Sequence, residues 1–163
     1  MSKVTLEIPA TTANLGPGFD CVGLALGLCN RIEAAALDHA GWEISIAGAG
    51  EAELPRHRQN LVAQAMEEVF DLVGSRPAGV RLSLTNRIPL CSGLGSSAAA
   101  RVGGIVAANE LCGRPLSTLE LARLAAQMEG HPDNVVPALV GGLVVAVLDG
   151  EQLSYVRFDP PPL

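Results

Sequence analysis

Aromatic side chains are scarce in this sequence, with one Trp, one Tyr and three Phe among 163 residues. A core built around stacked rings is therefore excluded, and the small and branched aliphatic residues, chiefly Ala, Val and Leu, must fill the interior. Basic residues are few and scattered. Eleven Lys and Arg stand against 17 Asp and Glu, for a formal net charge of −6, which leaves none of the electrostatic footprint that nucleic acid or an anionic membrane surface would require. No apolar run approaches the length of a membrane span, and the opening MSKVTLEIP alternates polar and apolar side chains where a signal peptide would be continuously apolar. A cytoplasmic location is expected. The four cysteines, Cys21, Cys29, Cys91 and Cys112, form no C-x-x-C or Cys/His pattern, so they are expected to be reduced and buried as small hydrophobes.

Repeats, low-complexity tracts and flexible linkers are also missing, apart from the terminal Asp159-Pro160-Pro161-Pro162-Leu163. The length suits one domain. Residues 1–158 are expected to form it, and 159–163 to be a Pro-rich connector, since a Pro run continues neither a helix nor a central strand.

Apolar and polar residues alternate at Val4, Leu6 and Ile8, at Trp42, Ile44 and Ile46, and at Val80, Leu82 and Leu84, the period-two pattern of half-buried strands. Leu143 to Leu148 and Leu153 to Phe158, joined across Asp149-Gly150, read as a hairpin. Helices fall between. Asn60 is placed to cap one whose Leu61, Val62, Ala65, Met66, Val69 and Val73 share a side, ending at Gly74. Ser117 and Glu120 form an S-x-x-E capping box before a short helix to about Met128. A third helix, from about Ser96 to Cys112, is apolar almost all round and should be central. The expected class is α+β, with helices packed on a mixed sheet.

The stretch Pro89-Leu90-Cys91-Ser92-Gly93-Leu94-Gly95-Ser96-Ser97-Ala98-Ala99 lies between a strand and that buried helix. Gly93 and Gly95 carry no Cβ to hold a polyphosphate off the backbone, and a helix start offers unpaired N–H groups and the positive end of its dipole. Ser96 and Ser97 add hydroxyls able to bond phosphate oxygens or hold Mg²⁺. The Lys of a Walker loop is absent. On this reading Gly95→Val abolishes nucleotide binding and leaves the fold intact.

Two further blocks are rich in short polar groups. In Pro9-Ala10-Thr11-Thr12-Ala13-Asn14-Leu15-Gly16-Pro17-Gly18-Phe19-Asp20-Cys21, a Gly-Pro-Gly bend can bring Asn14 and Asp20 to one pocket. An Asx turn at Asn14 and a helix cap at Asp20 are the plainer alternative. In Glu129-Gly130-His131-Pro132-Asp133-Asn134, His131 and Asp133 lack a third ligand at regular spacing and by themselves define neither a zinc site nor a general base pair.

The glycine loop resembles the second signature of the GHMP kinases, the superfamily of galactokinase, homoserine kinase, mevalonate kinase and phosphomevalonate kinase. The blocks at 9–26 and 129–142 are similar to those of its homoserine kinase branch. The resemblance implies a GHMP-type amino-terminal domain, ATP and Mg²⁺ as cofactors, and phosphoryl transfer to the side-chain hydroxyl of L-homoserine on the route to threonine. It implies that residues 89–99 wrap the ATP phosphates, that Asn60 lies near the adenine, and that Ser96 or Ser97 holds Mg²⁺ with Glu129. By the same resemblance Asn14, Asp20 and Asn134 orient the acceptor, with Asp20 the candidate base if one is used. It further implies a second, carboxyl-terminal α/β domain that is missing here, hence feeble activity and an exposed apolar face that leaves room for a homo-oligomer. A mevalonate-type kinase of the same superfamily, or a non-catalytic nucleotide-binding fragment, are the other readings.

Overall fold

A computed structural model of the chain describes residues 3–160, so the last three residues of the expected connector lie outside it. The elements run β1 (Lys3–Ala13), β2 (Val22–Leu37), β3 (Gly41–Gly48), α1 (Leu61–Val73), β4 (Gly79–Asn86), α2 (Ser96–Leu111), α3 (Thr118–Glu129), α4 (Val135–Val140), β5 (Leu143–Asp149) and β6 (Gln152–Phe158). The six strands form one mixed sheet in the order β3-β4-β2-β5-β6, with β1 beside β2. Only β3 and β4 run parallel, and the crossover that a parallel pair requires carries α1. The fold is α+β, as the sequence leads one to expect.

Helices cover one face of this sheet. Ile8 and Ala10 of β1, Ile32 and Ala34 of β2, Val80, Leu82 and Leu84 of β4, and Val144 and Ala146 of β5 are buried in that direction. Each large aliphatic side chain of this set contributes roughly 1.5–3 kcal/mol by leaving water. The other face meets solvent and carries ion pairs such as Lys3–Glu33 at 2.9 Å and Arg81–Glu43 at 2.6 Å. The Lys3 and Arg31 side chains on Glu33 hold its carboxyl below the usual carboxylate range.

The helix boundaries follow local chemistry. Asn60 Oδ1 accepts from Val62 N at 3.0 Å and so caps α1, which Gly74 ends in the left-handed region at φ 65°. Ser117 and Glu120 make the capping box of α3. Helix α2 is the central one and has glycines in its middle, where each costs about 1 kcal/mol relative to Ala. The reason is close approach: a Cβ at Gly103 would lie 2.1 Å from Ile32 Cδ1, and one at Gly104 2.4 Å from the Val62 carbonyl oxygen.

Three elements depart from the sequence reading. Strand β1 runs to Ala13, beyond the alternation that ends at Ile8, and β2, the strand that links β1, β4 and β5, carries no alternation sustained over the length of Val22–Leu37. The reason is an irregularity between them: Pro9 pairs with Cys29, yet Thr11 pairs with Ala25. Three residues of β2 face one of β1 there, and the inward parity switches, so that Ala10 and Thr11 are both buried. Asp20 therefore precedes a strand, and the helix-cap alternative for it fails. The short α4 also falls where no helix was expected, in the polar block after His131. Finally, the cysteines are free thiols, but none is buried: Cys91 is exposed and the others are half-buried, since Cys21 and Cys91 sit in loops, Cys112 ends α2, and Cys29 lies in β2 at the register irregularity. Partial burial pushes the Cys112 thiol up.

Candidate functional site

The glycine loop leaves β4 under the control of a buried amide. Asn30 of β2 accepts from the Arg87 and Ile88 N–H groups at 2.8 and 2.9 Å and so sets the direction in which residues 89–95 depart. Within the loop, Ser92 Oγ donates to the Pro89 carbonyl at 2.9 Å, and Cys91 is held at φ 52°, a region that side chains with a Cβ seldom occupy. Gly95 forms the N-cap of α2 at φ 67° and offers no side-chain cap, in contrast to Asn60 of α1 and Ser117 of α3. The first N–H groups of α2 are thus left for an anion.

The two loop glycines differ in what surrounds them. A Cβ at Gly93 would meet nothing within 4 Å, whereas one at Gly95 would lie 2.1 Å from Thr11 Oγ1 and 3.3 Å from Asn134 Oδ1. Gly93 is the glycine with a bare outer face. Gly95 is required by packing inside the protein, so the expectation that Gly95→Val spares the fold is corrected.

Next to the loop lies a cleft of about 280 Å³ whose lining includes Leu54, Pro55, Asn60, Leu90, Cys91, Ser96 and Ser97. It is largely apolar, as suits a flat heterocycle. Asn60 forms part of its wall, but the amide is committed on both sides, Oδ1 to the helix cap and Nδ2 to the Pro55 carbonyl at 2.9 Å.

Ser97 and Glu129 face each other, with Ser97 Oγ 3.5 Å from Glu129 Oε2, and Arg101 Nε donates to the same oxygen. Ser96 makes no such contact. The Arg101 guanidinium, one turn along α2 from Ser97, had no signal in the sequence beyond its helical spacing. Glu129 is thus paired with a guanidinium as well as with the Ser97 hydroxyl.

The acceptor-side residues come from two loops. Asp20 N donates to Asn14 Oδ1 at 3.2 Å, which closes the Gly-Pro-Gly bend, and both residues sit in the left-handed region at φ 55° and 57°. Asp133 is buried at 1% exposure and accepts from His131 Nδ1 at 2.5 Å. Asn134 heads α4 but makes no capping bond; its Oδ1 accepts instead from the hydroxyl of fully buried Thr11 at 2.8 Å. Thr11 N also donates to the Leu94 carbonyl at 3.1 Å. Thr11, which sequence reasoning passed over, therefore ties together all three polar blocks. Asn14, by contrast, hydrogen-bonds to Asp20 and to the Val22 carbonyl at the start of β2.

Residues 60–142 match the family model described as the GHMP kinases N terminal domain. The chain belongs to the GHMP kinase family. This GHMP kinase domain is 49% identical to the homoserine kinase of Petrotoga mobilis over 158 residues, which is 97% of this chain and 51% of that protein. It has the same identity to the homoserine kinase of Caldicellulosiruptor bescii. The crystal structure of homoserine kinase from Cytophaga hutchinsonii superposes with a TM-score of 0.85 at 31% identity, covering 99% of this chain and 53% of that one. Mevalonate kinase from Methanococcus jannaschii shares the fold with a TM-score of 0.74, at 16% identity over 98% of this chain and 56% of its own. The GHMP kinase domain thus spans about half the length of the curated relatives it matches.

Proposed function

We propose that this domain serves the ATP-dependent phosphorylation of the side-chain hydroxyl of L-homoserine to O-phospho-L-homoserine, a cytoplasmic step towards threonine. One observation carries the reading: at Gly95 the phosphate loop meets Thr11 and Asn134, so donor and acceptor pockets share a wall. The relatives named homoserine kinase support the choice of acceptor over mevalonate, whose kinase shares only the fold.

In this reading the nucleotide's base occupies the cleft beside Leu54 and Leu90, and its phosphates lie against the bare face of Gly93 and the uncapped start of α2. Ser97 and Glu129 fit Mg²⁺, because both offer oxygen donors and lie within reach of the loop. When bound, Mg²⁺ held by Ser97 and Glu129 would supply positive charge to offset that of the phosphates. The protein's own part is positioning. Thr11 fixes the Asn134 amide with its carbonyl oxygen inward, so Asn134 offers its NH₂ to an acceptor or phosphoryl oxygen and cannot take a proton. Asp20, with Asp133 close by, offers negative charge to the acceptor's ammonium. Holding the hydroxyl in line with the phosphoryl group then accounts for most of the acceleration, without an obligatory base.

Phosphorus NMR of a mixture with Mg·ATP and L-homoserine is expected to show O-phosphohomoserine, with Asp20→Asn raising the KM for homoserine far more than that for ATP. Calorimetry with Mg·ADP and L-homoserine separately tests each pocket without turnover. Binding of nucleotide with no binding of homoserine, or phosphorylation of mevalonate in its place, would overturn the assignment of acceptor.

A further inference from the structure

Glu129 stands where a carboxylate is poorly placed by its own helix. It is the last residue of α3, at the negative end of that helix's dipole, and the last turn carries no basic residue to offset it. Only 14% of its side chain is exposed, so water does little to stabilise the charge. An ionised carboxyl here needs a cation from elsewhere in the fold.

Arg101 provides one. It follows Ser97 by four residues in α2 and so shares a face with it, and side chains on a helix lean towards the helix N-terminus. The guanidinium can therefore reach back to the oxygen that Ser97 faces. Arg101 Nε donates to Glu129 Oε2, and Ser97 Oγ lies 3.5 Å from the same atom. Among the described residues no other cationic side chain pairs with Glu129. With 22% of its own side chain exposed, Arg101 is largely withdrawn from water, which sets this pair apart from the solvated ion pairs that contribute little.

Metal and guanidinium thus address one atom. In the reading given above, Ser97 and Glu129 together hold Mg²⁺, and the Glu129 oxygen turned to Ser97 is the one that Arg101 occupies. Two cations on one poorly solvated oxygen repel each other strongly. We propose that Arg101 competes with the metal: its guanidinium neutralises Glu129 while the ion is absent and leaves Oε2 when Mg²⁺ enters. Arg101 thereby raises the Mg²⁺ concentration that the domain needs and stabilises the metal-free fold. It is a positioning residue, acting through Glu129. The inference rests on the Mg²⁺ reading and not on the identity of the acceptor.

The probe is Mn²⁺, followed by electron paramagnetic resonance with ADP at saturation. Arg101→Gln is expected to bind the ion at least fivefold more tightly than the parent chain, and Arg101→Lys, which keeps the charge, to stay within twofold of the parent. Without metal, Arg101→Gln should unfold at lower urea, and Mg²⁺ with ADP should narrow that gap. Glu129→Gln separates the two readings. It should weaken Mn²⁺ binding at least tenfold; if it does not, Glu129 is no metal ligand, and the Mg²⁺ reading and the competition fall together. Mn²⁺ weakened in Glu129→Gln yet unchanged or weakened in Arg101→Gln keeps the metal site and overturns the competition. Equal tightening in Arg101→Lys overturns it too, since the effect would then be one of packing, as does the absence of Mn²⁺ binding by every form at millimolar concentration. Should Arg101→Gln fail to fold, the parent chain still decides. Its Arg101 Nε–H resonance, identified by its loss in Arg101→Lys, is expected to exchange with solvent at least tenfold faster once Mg²⁺ joins ADP, and a resonance that stays protected overturns the proposal.

Discussion

The Thr11 hydroxyl decides which way the Asn134 amide faces, and one methyl-for-hydroxyl exchange isolates that role. Thr11→Val keeps the volume and leaves Asn134 Oδ1 without its donor at 2.8 Å. The expected cost is about 1–3 kcal/mol of stability for the stranded acceptor, and a kcat lowered about tenfold or more as the amide loses its orientation. The KM for ATP should hardly move. Thr11→Ser, which retains the hydroxyl, should recover most of kcat, and steady-state kinetics with chemical denaturation measure both effects. The loop glycines separate in the same way. Gly93→Ala should cost only the left-handed strain of about 1–2 kcal/mol and should weaken Mg·ADP binding by calorimetry. Gly95→Ala should add the clash with Thr11 and lower the denaturation midpoint further, before any ligand is present. These candidate positions were partly legible in the sequence. Gly93, Ser97 and Glu129 announced themselves through spacing and resemblance, whereas Thr11 and Asn30 did not, because their partners lie 123 and 58 residues away and a short polar residue in a strand carries no mark of its distant contact.

Among elements, α1 and α3 were readable because their signals are local: a cap, a stop and one apolar side within a few turns. Helix α3 also has a testable response to acid. The Ser117 hydroxyl donates to Glu120 Oε2 at 2.6 Å and the Ser117 N–H does so at 2.7 Å, and these bonds, the hydroxyl first, hold the Glu120 carboxyl below its ordinary value. A carboxyl depressed in the folded state adds stability that is fully present above the unfolded pKa and disappears as pH falls through the folded pKa. Glu120→Gln should therefore be less stable than the parent at neutral pH, and the difference should close as the solution is acidified below the ordinary carboxylate range. Urea denaturation across that window is the measurement, and a gap that persists in strong acid would contradict the account. Strand β2 was illegible for the opposite reason. It is rich in Ala and Gly, it is flanked by strands along much of its length, and its inward parity changes part-way, so no single period describes it.

For the molecule as a whole, the two faces of the sheet are treated differently. Helices seal one, and most of the other is polar, but at the β5–β6 end Val145, Val147, Val156 and Phe158 remain 41–57% exposed. Val145 pairs with Val156, and Phe158 with Leu143, so these side chains form a contiguous patch on an edge hairpin. Patches of this kind drive association. Light scattering at rising concentration is expected to report a mass above the 16.8 kDa of one chain, and Val156→Lys with Phe158→Lys should return it to that value. A concentration-independent monomer in the parent chain would remove the patch as an association surface.

The irregularity between Pro9 and Thr11 has a reach beyond its own two strands. Both β1 and β2 change phase there together, so the first part of each builds on one side of the alternation and the remainder on the other. Deleting Gly27, a residue outside every polar block, would restore phase in β2 and not in β1. The two strands would then disagree about which side Thr11 belongs on. Such a lesion would silence the site with every one of its own residues intact.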